Sequence, residues 1–274
     1  MTKNILQTLL TFFFFSVLLI VILFNSRYIK RRIGQISIDL GSNKEHTSPA
    51  IIFTNYCIED TIINSSIIEG YVDKSSYTTG DDIRFFIHTI SSKFIIKMYL
   101  IAKKNILVYT SAWITGMRQN YTACSYKYGC NWKESYLLKI PGEWNSGMYI
   151  AEIETNEQNK TYLPIVIRSE NSKAKILLLS SDITWQAYNA WGGASFFSYN
   201  FKKNPFNYSF ANVVSLHRPN NYGKVFEENI ADDLASGEMF LIRWLSRNNY
   251  NYDVLSESEF HYWKEVPNKY KGGF

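Results

Sequence analysis

The chain has 274 residues, 46% of them hydrophobic and 19% charged, which is enough apolar material for one large or two ordinary domains and excludes a disordered polypeptide. Its formal charge of +5 is modest. Lys3, Arg27, Lys30, Arg31 and Arg32, beside the first hydrophobic run, account for that excess; the near-neutral remainder gives no support for a nucleic-acid partner.

That first run, Ile5 to Phe24, carries no charge and has about the 20-residue length that spans a bilayer as a helix. It predicts a transmembrane helix over 5–24. The following "NSRYIKRR" lacks the small-residue site of a cleaved signal peptide, so the segment reads as an uncleaved anchor and the location as single-pass membrane. The charges after it, set against Lys3 and the amino terminus, favour a cytosolic body, by a margin too small to fix the side. Residues 25–65 read as a linker, with "DLGSNKEHTSP" at 39–49 as its most turn-rich part.

From Ile67 onward, "DDIRFFIHT", "FIIKMYLIA", "SYLLKIP", "GMYIAEIET" and "TYLPIVIR" are short β-branched and aromatic segments bounded by Gly, Pro, Ser or Asn. They predict an immunoglobulin-like β-sandwich over 66–168. His88 alternates with Phe86 and reads as one face of a strand. Cys57, Cys124 and Cys130 are an odd count without paired spacing, which excludes an ordinary zinc site and leaves a Cys124–Cys130 bridge or three free thiols open. The sequons at Asn64, Asn120, Asn159 and Asn207 carry no information in a chain so rich in Asn, Ser and Thr.

After Arg168 the pattern changes. "AKILLLSS" is a continuous apolar run of the kind found in parallel sheets, and "SFANVVSLH" at 209–217 reads as a second strand. Between Phe226 and Arg247 the apolar spacing fits a helix with a break near Gly237, and "NYDVLSESEF" gives a further strand and loop. The whole predicts an α+β body in which the sandwich precedes an incomplete α/β open sheet over 173–274. Ligands of open α/β sheets sit beyond the carboxyl ends of the strands, where "DITWQAYNAWGG" begins. The competing reading of that segment is an aromatic-rich loop packed on the neighbouring sandwich.

The segments "EGYVDKSSYTTGDDIRFFIHT", "GCNW", "IPGEWNSGMYIAEIET", "LPIVIR", "SSDITWQAYNAWGG", "VSLHRP" and "IRWLSRNNYNYDVLSESEFH" occur in an order that resembles the large (beta) subunit of N,N-dimethylformamidase and its relatives. The resemblance implies a glutamine-amidotransferase-like α/β domain holding one iron ion through two tyrosines and a glutamate, hard oxygen donors suited to ferric iron. The first tyrosine falls on Tyr188, with Trp185 and Asn189 as its supporting neighbours and His217 as a further candidate at a strand end. The second belongs after "RP", where Asn220 stands and Tyr222 follows two residues late. The glutamate motif has no counterpart before the chain ends.

The implied function is that of a membrane-anchored, iron-dependent hydrolase of C–N (amide) bonds with a small amide-like substrate. It is inactive if the third ligand is lacking, unless a partner chain completes the site. The alternative is a non-catalytic binding or interaction protein using the β-sandwich. Glu227, Glu228, Asp232, Asp233, Glu257 and Glu259 read as solvated faces, and His261 as a loop residue.

Overall fold

In the computed structural model the described residues are 67–122, 124–169, 172–197, 211–220, 234–262, 270 and 272–273. By internal contacts the chain divides at residue 54, and all described residues belong to the second unit, Asn55–Phe274. Its strands begin with β1 (Ile68–Val72), β2 (Ser76–Thr78), β3 (Asp82–Thr89), β4 (Lys93–Leu100), β5 (Ile106–Thr110) and β6 (Ile114–Thr115). A one-turn helix α1 (Ser125–Tyr128) separates these from β7 (Tyr136–Lys139), β8 (Gly147–Thr155) and β9 (Lys160–Arg168). Then come β10 (Ile176–Ser180), α2 (Asp182–Tyr188), α3 (Leu234–Arg247), β11 (Tyr252–Ser256), α4 (Glu257–Phe260) and the two-residue β12 (Gly272–Gly273).

One sheet has the order β1-β3-β7, and a larger one the order β2-β9-β8-β4-β5 with β6 paired to β4. Alternation along β3 and β4 explains their packing: Ile83, Phe85 and Ile87 from one sheet meet Phe94, Ile96 and Met98 from the other. β8 departs from alternation, because nearly every residue in it is buried. Its Tyr149, Ala151 and Ile153 face the sandwich core. Met148 and Ile150 point to the opposite side, where Leu178 of β10, Val254 of β11 and Met239, Ile242 and Leu245 of α3 cover them. The larger sheet therefore lies between the smaller sheet and a third layer made of α2, α3 and the parallel set β11-β10-β12.

The expected fold class needs correction. The described residues are mostly β-sheet with few helices, most of them short, in place of an α+β body carrying an amidotransferase-like open sheet. Residues 211–217, the described part of the expected second parallel strand, have no strand structure. α3 runs through Gly237 without the expected break. A Cβ at Gly237 would meet nothing within 4 Å, so this glycine marks no close approach.

The transmembrane helix and the membrane location are corrected too. No helix among the described residues is long and apolar enough to cross a membrane, and residues 5–24 and the 25–65 linker lie outside those described. A Cys124–Cys130 bridge does not form, because Cys124 is disulfide-bonded while Cys130 is a free, buried thiol. Burial, reinforced by the Glu69 carboxylate and opposed by Arg218, pushes the Cys130 thiol well above its ordinary range.

Candidate functional site

The parallel strands β10 and β11 run in register from Ile176↔Tyr252 to Ser180↔Ser256, so their carboxyl ends deliver α2 and α4 to the same place. There the Asp182 carboxylate, 2% exposed, accepts hydrogen bonds from the Ser258 amide at 3.0 Å, the Ser258 hydroxyl and the Ser75 hydroxyl. Ser256 caps α4 by accepting from the Glu259 amide, and Glu259 pairs with Arg168 of β9 at 3.2 Å. The mouth of the parallel strands is thus laced to the edge of the sandwich.

α2 is short, and both ends of its segment are fastened by indole N–H groups. Trp185 donates to Glu238 at 3.1 Å, and the Ser181 amide and Ser180 hydroxyl donate to the same carboxylate at 2.8 Å each. Burial raises the Glu238 carboxyl above its ordinary value even against these donors. Trp191 donates to the buried Glu69 of β1 at 2.9 Å, and the Tyr121 hydroxyl binds the other Glu69 oxygen. Trp191 also meets Trp132 edge-on at 6.1 Å. Gly192, at φ +83°, permits this docking, since a Cβ there would lie 2.7 Å from the Tyr126 nitrogen of α1. The aromatic-rich segment therefore packs on the sandwich.

Asn189 is buried and ties the segment internally, donating to the Pro219 carbonyl at 3.0 Å and to Gln186 Oε1 at 3.2 Å while accepting from the Trp191 amide. Arg218 is fully buried. Its guanidinium donates to the carbonyls of Trp191 at 2.6 Å, Gln186 at 3.0 Å, Ser215 at 2.9 Å and Ala194 at 3.3 Å, clamping the 215–218 loop to the α2 segment. Neither Arg218, Glu69 nor Glu238 is singled out by spacing. The one sequence signal for the clamp is that "HRP" follows the aromatic segment.

Tyr188, the last residue of α2, is 53% exposed and stacks on Phe197 with centroids 4.2 Å apart. Asn220 turns elsewhere. It lines a cavity of about 50 Å³ together with Tyr71, Asp182, Trp185, Gln186 and Leu216, and among the described residues its buried Nδ2 has no hydrogen-bond partner. His217 is separate from both, with its Nε2 3.3 Å from the Asp73 carbonyl and its ring stacked over Tyr71. Tyr222 lies outside the described residues, as do Glu227, Glu228, Asp232 and Asp233.

A family model described as N,N-dimethylformamidase beta subunit-like, C-terminal, matches residues 102–273. The chain belongs to this family. The match starts inside the sandwich, later than the 67–263 span over which the motifs resemble it. No curated protein matches this dimethylformamidase-like chain.

Among solved structures, a cycloisomaltooligosaccharide glucanotransferase from Paenibacillus sp. is 16% identical over 41% of this chain and 15% of its own, with a TM-score of 0.23. A polysaccharide lyase is 9% identical over 39% and 12%, with a TM-score of 0.23. A β-glucosidase from Listeria innocua is 12% identical over 37% and 16%, with a TM-score of 0.20. The dimethylformamidase-like chain thus spans a small part of each, at scores that carry no argument about function.

Of the tyrosines that the resemblance assigns to iron, Tyr188 alone lies among the described residues. No group of three His, Cys, Asp or Glu among the described residues could hold a metal, which leaves tyrosine ligation open. Tyr188 faces solvent, while Asn220, at the expected second position, lines a cavity that Tyr188 does not. A neutral amide is also a poor substitute for a tyrosinate on a hard trivalent ion.

Proposed function

We propose that this dimethylformamidase-like chain binds a small amide and acts at its C–N bond. The observation that carries the reading is a cavity of about 50 Å³ lined by Asn220, whose buried Nδ2 has no partner among the described residues. One water needs about 10–15 Å³ of such space, so the cavity admits a ligand of roughly three to five heavy atoms. Its walls combine Tyr71, Val72, Leu163, Trp185 and Leu216 with Asp73, Lys74, Asp182 and Arg218, and suit a small dipolar carbonyl compound with alkyl groups.

A buried donor without an acceptor costs about 1–3 kcal/mol. A carbonyl oxygen placed against Asn220 removes that cost, and the hydrogen bond draws electron density from the carbonyl carbon where attack must occur. Iron joins the reading through the family resemblance alone, and Tyr188, the described residue assigned to it, does not line this cavity. The described residues bind and orient the amide. The alternative, amide binding without hydrolysis, rests on the same cavity.

The test is saturation-transfer NMR with N,N-dimethylformamide on the purified chain, with dimethylamine release and iron content measured in parallel. Binding that Asn220→Leu abolishes supports the site. Dimethylamine release together with stoichiometric iron supports hydrolysis, and binding by iron-free protein without release leaves the non-catalytic reading. Unchanged binding by Asn220→Leu would sink the assignment of the cavity.

A further inference from the structure

The outer face of the β1–β3 pair carries a second, larger hollow. Tyr71 and Phe86 are cross-strand partners, and their rings stack at 4.9 Å and 11°. His217 continues the row over Tyr71 at 6.3 Å and 19°, and Trp132 leans on Tyr71 at 5.4 Å. These rings line a cleft of about 480 Å³ that also includes Asp73, Thr122, Tyr128 and Asn131. It adjoins the small amide cavity, sharing Tyr71 and Asp73 with it, but has some ten times the space and a different lining.

The charges around the cleft narrow its ligand. Asp73 is the one carboxylate among the described lining residues. Its Oδ1 already accepts from the Tyr77 hydroxyl at 2.7 Å and the Arg84 amide at 3.1 Å. The Lys127 ammonium lies 5.2 Å from the centroid of the Tyr128 ring at the rim, so a cationic ligand meets repulsion there and finds that ring already facing a cation. An anion fares no better, because no arginine or lysine lines the cleft and Asp73 does. Tyr71 and Trp132, 6% and 5% exposed, form the buried back of this wall, and Phe86, His217 and Tyr128 are the rings that reach the cleft; they suit a neutral molecule with an apolar face and a polar edge for Asp73 Oδ2, the Asn131 amide and the Thr122 hydroxyl. A pyranose has that division, with axial C–H groups on one face and hydroxyls around its perimeter.

We propose that this cleft binds a neutral sugar residue, its C–H face against the exposed rings of His217 and Tyr128 and its hydroxyls hydrogen-bonded to Asp73 Oδ2 and Asn131. Tyr128, 67% exposed at the rim, supplies a further ring that can close over the sugar. Because it is so exposed, its replacement should leave the fold intact. Asn131 adopts φ 50°, a left-handed conformation that glycine tolerates, so Asn131→Gly deletes the amide without straining the backbone.

The experiment applies the full chain to an array of neutral hexose and N-acetylhexosamine oligosaccharides, then titrates the best binder calorimetrically. Tyr128→Ala and Asn131→Gly should each weaken binding by about 3–10-fold, with unchanged circular dichroism. Tetramethylammonium and inorganic phosphate should give no heat and no competition. The proposal is overturned if folded wild-type protein binds none of the oligosaccharides, if both variants bind as tightly as wild type, or if tetramethylammonium displaces the sugar.

Discussion

Arg218 shows how a charged side chain serves this fold from the interior. Its donors hold backbone carbonyls from both the α2 segment and the 215–218 loop, and the planar guanidinium is the only side chain with the donor count and span to do so. An Arg218→Lys substitution should cost about 2–3 kcal/mol in urea unfolding, since an ammonium leaves buried carbonyls unsatisfied; Arg247→Lys, on an exposed residue, should be neutral. Tyr188 presents the opposite case. Its hydroxyl is at the surface, so Tyr188→Phe should keep metal-free stability within about 1 kcal/mol, while loss of iron binding in that variant would identify it as a ligand. His88 links stability to pH. Burial, against the nearby Glu69 carboxylate, lowers its folded-state value below the ordinary imidazole range. The folded state therefore favours neutral His88, and its contribution to stability is complete above the unfolded value near ~6.5 and lost as pH falls through the lower folded one. Urea midpoints compared at about pH 7.5 and about pH 5.5 should drop more for wild type than for His88→Gln.

At the scale of elements, α3 tests how local propensity and tertiary packing divide the work. Gly237 reads in the sequence as a break, yet Met239, Ile242 and Leu245 bury one face of the helix against β8 and β10, and that burial carries the chain through the glycine. The glycine still costs conformational entropy. Gly237→Ala, with open space for the added Cβ, should stabilise the protein by about 0.5–1 kcal/mol, read as a higher thermal midpoint. The strands that alternate cleanly, β3 and β4, were legible because one face of each meets a single core. "SFANVVSLH" misleads for the converse reason. Its apolar residues imitate a buried strand, while Val213 and Leu216 are in fact exposed and Arg218 fixes the loop. The aromatic segment at 182–193 was half legible. Its place after a buried strand could be read, but the carboxylates that receive its indoles, Glu69 and Glu238, lie 122 and 53 residues away and leave no local signal.

At the scale of the molecule, β8 decides the architecture. "GMYIAEIET" alternates well enough to read as one strand of a two-layer sandwich, and nothing in its spacing reveals that the second face is also covered. In the structure Ile150 is fully buried in the cluster shared with Leu178, Val254 and α3, while its neighbours Tyr149 and Ala151 belong to the sandwich core. A sheet shared by two cores couples their stabilities, because losing the outer layer exposes Met148, Ile150 and Val166 to water. Unfolding of residues 67–273 should therefore be a single cooperative transition, although the sequence reading separates a sandwich from a following α/β part. Ile150→Ala distinguishes the two views. It removes buried volume from the outer interface and should cost about 2–4 kcal/mol. If the layers are coupled, tryptophan fluorescence, which reports Trp144 in the sandwich as well as Trp185 beyond it, and far-ultraviolet circular dichroism will shift together in urea and remain superimposable. If the variant instead loses its α3-side signal first, leaving a second transition at the wild-type midpoint, the sandwich stands alone and the shared-sheet account fails.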